Sequence, residues 1–130
     1  MLSLMIAAAL AAQPATTRSP PVAKASIHSS TIQQLDARNA RDSGVAKGGE
    51  YEARVMGTLI EEMGLLRKCE MTPKHAPFSM YLDIAADGAI KDVRFVPATP
   101  MAPCIRRTVA GKKFAPYKGG FLVKLIISAA

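Results

Sequence analysis

At 130 residues the chain has room for one folded domain. Apolar residues make up 49%, which excludes wholesale disorder, while 5% aromatics and no Trp leave a modest core of Leu, Ile, Val and Met. A net charge of +7 points to anionic surroundings (nucleic acid, phospholipid head groups, cell-wall polymer or acidic proteins), and the two His are too isolated to act as a pair.

"MLSLMIAAALAA" opens the chain. About a dozen apolar residues are too few to span a bilayer, which needs roughly 20. They fit the apolar region of a secretory signal, with Ala9-Leu10-Ala11 as the cleavage site, although no Lys or Arg precedes the run. Residues 1–12 are therefore expected to be a signal peptide, the competing reading being a buried N-terminal helix. Residues 13–49, beginning "QPATTRSPPVAKASIHSS", read as a flexible linker rich in Pro, Ser, Thr and Ala. Ser30 and Gln33 have capping-box spacing for a brief, marginal helix whose sizeable apolar residues are Ile32 and Leu35. Ser43-Gly44 and Gly48-Gly49 then break the chain, so the folded domain is expected over residues 50–130.

Residues 51–69 predict an amphipathic helix, with Tyr51, Val55, Leu59, Met63, Leu66 and Cys69 on one face. Thr72-Pro73 ends it. A hairpin follows. Phe78, Met80, Leu82 and Ile84 alternate on its first strand, and Ile90, Val93 and Phe95 serve its second. A three-residue loop, Ala86-Asp87-Gly88, with Gly88 left-handed and a bulge at Lys91-Asp92, sets Ile84 against Ile90, Leu82 against Val93 and Met80 against Phe95. A two-residue loop would instead set Ile84 against Lys91 and Asp83 against Asp92, which matches apolar residues less well. Thr99 can cap a second helix with Pro100 at its first position, Met101, Ile105 and Val109 as its buried stripe, and Gly111 at its end. The last strand is expected over residues 121–129: Phe121, Val123, Leu125 and Ile127 share one face, Leu122, Lys124, Ile126 and Ser128 the other.

The fold class is therefore α+β, a small two-layer domain of order α-β-β-α-β. A right-handed crossover places the last strand beside the first, giving a three-stranded antiparallel sheet in order 2-1-3. Both helices are expected on one face, leaving the opposite face and both edges bare.

From about Tyr51 to its end the chain resembles the C-terminal domain of the TonB family of periplasmic energy transducers. "FSMYLDIAADGAIKDVRFVPA" is similar to the family's strand–DG–strand block, "PCIRRTVAGKKFAPYKGG" to its helix and basic-aromatic-proline connector, and "GGFLVKLIIS" to its final strand. The two cysteines are closer to a cysteine-bearing subgroup of TonB-like and AgmX-like domains. The resemblance implies a peptide-binding module in which a partner segment adds as a strand along the last strand's edge. The chain is expected to depart from the family at its front, where the residues read as a signal and linker rather than as a membrane-spanning anchor and a long Pro-rich spacer. A linker of roughly 35 residues would make a coil of only about 35 Å, so the resemblance points to a relative that keeps the binding sheet without the transducing role.

Cys69 and Cys104 are an even count in a chain read as exported, which favours a disulfide over two buried thiols or a metal site with His75; the spacing matches no zinc pattern. No metal or cofactor is expected. Glu61-Glu62 read as a solvated pair, "AGKK" lacks the upstream glycine of a phosphate loop, and Ser128 has no His partner, so the chain reads as a non-enzyme. The last acid is Asp92; Arg94, Arg106, Arg107, Lys112, Lys113, Lys118 and Lys124 follow it. These basic residues read first as a solvated face. The second reading, centred on Arg106, Arg107, Lys112 and Lys113, is a weak polyanion site for anionic lipid or cell-wall polymer in the cell envelope. Nucleic acid ranks last, because an exported protein seldom meets it. The leading expectation is a periplasmic or secreted interaction module whose last strand, through Leu122, Lys124, Ile126 and Ser128, pairs with a segment of a periplasmic or outer-membrane protein, or with a second copy of the domain.

Overall fold

The computed structural model describes residues 26–69 and 76–128. The expected signal peptide, the Thr72-Pro73 break and His75 lie outside these residues. Two helices come first: α1, Ile32–Gly44, and α2, Ala46–Gly57, which runs on into a wide π-type turn over Thr58–Glu62. A one-turn helix, α3, Leu65–Lys68, precedes strands β1, Phe78–Ile84, and β2, Ile90–Val96. Helix α4, Ala102–Val109, then crosses to strand β3, Phe121–Ile127. The sheet is antiparallel throughout, in order β2-β1-β3, as the crossover argument requires.

The hairpin register is the expected one for its apolar residues. Ile84 faces Ile90, Leu82 faces Val93 and Met80 faces Phe95. The Ala85 N–H donates to the Ala89 carbonyl at 2.8 Å across a three-residue loop, with Gly88 at φ 96°. The bulge falls at Lys91-Asp92 as expected, with Asp92 pairing with Asp83 and Lys91 left over. Two acids directly opposite one another repel. The repulsion is offset by Arg38, whose Nη2 lies 3.0 Å from Asp83, while Asp92 is within hydrogen-bond distance of His28 Nε2 at 2.8 Å.

The expected single helix over residues 51–69 is instead broken. Tyr51, Val55 and Leu59 are buried as the stripe predicts. The Met63 N–H then reaches back five residues to the Thr58 carbonyl, and Gly64 turns left-handed at φ 60°. Together these rotate the helical face, so that Leu65 is fully buried and Leu66 is exposed. The second helix also starts later than expected. Thr99 makes a turn, accepting hydrogen bonds from Met101 N–H through its hydroxyl and from Ala102 N–H through its carbonyl, and Pro103 rather than Pro100 occupies the first helical turn.

The largest departure is residues 26–49, expected as linker and found folded onto the sheet. Thr31, not Ser30, caps α1: its hydroxyl accepts from Gln34 N–H at 3.1 Å and its own N–H donates to the Gln34 side chain at 2.8 Å. Gly48-Gly49, expected to break the chain, lie inside α2. Gly48 is buried where α2 meets the end of α1, and a Cβ there would collide with the Asp42 carbonyl.

The sheet is therefore the middle of three layers. On one side Tyr51, Val55, Leu59, Leu65, Ile105 and Val109 pack against the inward residues of all three strands. On the other, which was expected to be bare, Ile27 and Leu35 close over Tyr81 and Leu122. Burial of β1 on both faces follows.

Candidate functional site at the edge of β3

Strand β3 has one neighbour, β1, and its other edge is where a further strand would pair. Along that edge the backbone groups alternate inward and outward. The outward groups at its first half are already held, by side chains rather than by a strand. Asn39 Nδ2 donates to the Leu122 carbonyl at 2.8 Å, and Asp42 Oδ2 accepts from Leu122 N–H at 3.0 Å. Glu52 Oε2 accepts from Lys124 N–H at 3.2 Å, and Asn39 Nδ2 holds that same oxygen at 2.7 Å. By the same alternation the Ile126 N–H points outward, and no described residue accepts it.

The four residues expected at a partner site thus divide. Leu122 is fully buried under α1. Lys124 is half-buried, its ammonium 2.8 Å from Asp36 and over the Tyr81 ring at 5.5 Å. Ile126 is 62% exposed, the most exposed large apolar side chain in the described structure, and Ser128 is exposed. The expectation of a wholly free edge is corrected by α1. Its signal in the sequence was thin, one apolar stripe position at Leu35; its hold on the sheet comes from Asp36, Arg38, Asn39 and Asp42, residues that read as surface.

The Asp36–Lys124–Tyr81 cluster fastens α1 electrostatically. Tyr81 Oη donates to Asp36 Oδ1 at 2.6 Å. Hydrogen bonds from Lys124 first, and Tyr81 second, hold the Asp36 carboxyl below the usual carboxylate range. Asp36 in turn raises Lys124, and burial, followed by the Asp36 contact, raises the Tyr81 phenol. A lowered acid contributes stability that is present above its unfolded value, about 3.9 for Asp, and is lost as pH falls through the lower folded value. A raised Lys contributes below its unfolded value and loses it as pH rises through the folded one. Asp36→Asn should therefore destabilise by a constant amount between about pH 5 and pH 9, with the gap to wild type closing in acid. Urea melts of both proteins at several pH values check this; a gap that persists undiminished at pH 2 contradicts it.

Cys69 and Cys104 are joined in a disulfide, with Cα atoms 5.6 Å apart, tying the end of α3 to the first turn of α4. The basic residues have different local partners. Arg94 donates to the Ile27 and Ser30 carbonyls, at 2.9 and 2.6 Å, and so anchors the segment leading into α1. Arg106 stacks over Phe95, Lys112 lies over Phe114, and Lys113 reaches Asp87 at 3.8 Å. Arg107 is exposed on α4. Tyr117 packs among Tyr51 and Phe121, and Phe114 is buried, so the interleaved aromatics belong to the core rather than to a stacking surface. Among the described residues no three His, Cys, Asp or Glu side chains are grouped to hold a metal, and no helix is long and apolar enough to cross a membrane.

Comparison of the chain with protein-family models, with curated proteins and with solved structures finds no match in any of the three.

Proposed function

We propose that the protein is a non-enzymatic interaction module of an oxidising extracytoplasmic compartment, the periplasm, and that it takes up an extended peptide by strand addition along β3. The observation that supports this is the state of that edge. It is an apolar edge strand of the kind that attracts pairing, its first half is occupied by side-chain mimics of a neighbouring strand, and its second half carries an exposed Ile126 with an outward N–H. The disulfide suits an oxidising compartment. The resemblance to TonB C-terminal domains, in the order and spacing of hairpin, connector and last strand, favours the same reading.

A suitable probe is a peptide carrying the β1 sequence, FSMYLDI, flanked by lysines, because β1 is the strand that β3 already accepts. Ile126→Pro removes the outward donor and should weaken probe binding about tenfold or more. Ile126→Ala keeps the donor and should bind nearly as wild type. Proline is tolerated where an edge N–H faces outward, so both variants should fold. Equal affinity of Ile126→Pro and wild type, measured by fluorescence anisotropy, contradicts pairing at this edge.

A further inference from the structure

We propose that α1 is a displaceable gate on the β3 edge: the helix docks where the added strand would lie and must lift before the full strand can pair. This rests on the strand-addition reading above and adds its regulation. The geometry is that of a competitor. Asn39 and Asp42, one turn apart on α1, give Leu122 one donor and one acceptor, the two groups that a residue of a neighbouring strand would give. Asn39 also holds the carboxylate of Glu52, an α2 residue that accepts from Lys124 N–H, so lifting α1 removes one restraint on the group covering the second outward N–H. An incoming strand cannot reach either residue while these side chains are in place.

The attachment of α1 is of a kind that can open without unfolding the domain. Of its 13 residues only Leu35 is buried, the apolar cluster it closes with Ile27, Tyr81 and Leu122 is small, and the side-chain bonds to Asp83 and Lys124 are ionic and can be satisfied by water on opening. The core on the other face of the sheet is apolar, continuous and closed by the disulfide. Stability is thus divided between a core and a lightly held layer, the arrangement from which sub-global opening arises. With α1 closed, the apparent affinity for a strand falls by the fraction of molecules that are open.

Two measurements on the full chain test this. In hydrogen exchange of the wild-type protein, the α1 amides and that of Leu122, which Asp42 holds, should exchange as one unit, at least about tenfold faster than Val123, which faces β1. Exchange of all of them at the Val123 rate would mean that α1 leaves only on global unfolding, and would overturn the gate. In the second, Asn39→Ala combined with Asp42→Ala should bind the lysine-flanked FSMYLDI probe about tenfold more tightly than wild type. Equal and measurable affinity for the two proteins overturns the gate while leaving strand addition standing. Concerted exchange with no probe binding to either protein supports the opening of α1 and sinks strand addition.

Discussion

Cys104→Ala should lower the stability of the oxidised protein by about 3–4 kcal/mol, because a bond closing a 35-residue separation no longer restricts the unfolded chain. For a domain of this size that corresponds to a melting temperature lower by roughly 15–25 °C. The loop encloses both strands of the hairpin, so the unfolded state regains freedom over a third of the folded domain. Cys69→Ala should cost about as much, and the double variant little more than either single one, since one bond is lost in all three. Wild-type protein in reductant should melt with the variants, and unreduced native protein should carry no titratable thiol. Two free thiols in native material, or melting unaffected by reductant, would contradict the bond.

Leu122→Ala should destabilise by about 2–5 kcal/mol, the cost of emptying a fully buried leucine site. Ile126→Ala, four residues along the same face, should stay within about 0.5 kcal/mol because its side chain is largely in water. The contrast is a direct consequence of α1: a bare sheet face would make both substitutions nearly silent. Leu35→Ala, which removes the residue closing over Leu122, should follow the buried pattern. Urea unfolding of the three variants measures this; a Leu122→Ala cost no larger than that of Ile126→Ala would mean that α1 does not cover the strand.

The hairpin was legible because local signals agreed. Period-two alternation, the Asp87-Gly88 turn and apolar matching across the strands all select one register, and the structure holds it. The order of strands was legible because the handedness of crossovers leaves few alternatives. The layer made by residues 26–44 was not, and the reason is physical. Helix α1 has one buried apolar residue, so its periodicity is weak. What fixes it are long-range polar pairs, Arg38 with Asp83 and Asp36 with Lys124, whose partners lie 45 and 88 residues away. The capping box was visible but displaced by one residue, Thr31 and Gln34 having the same spacing as Ser30 and Gln33. Likewise, Lys124 and Arg94 counted toward a basic surface in the sequence, yet both are spent on holding the N-terminal layer. The position of β3 at the edge of the sheet thus followed from the strand order, and the half of that edge already occupied could be seen only in three dimensions.

The most direct test of strand addition is the Ile126 amide itself. In isotope-labelled protein, saturating lysine-flanked FSMYLDI peptide should slow Ile126 N–H exchange and produce cross-strand contacts between the peptide backbone and β3. Binding of the peptide that leaves Ile126 exchange unchanged and places its contacts elsewhere, or no binding at millimolar peptide, would contradict the account.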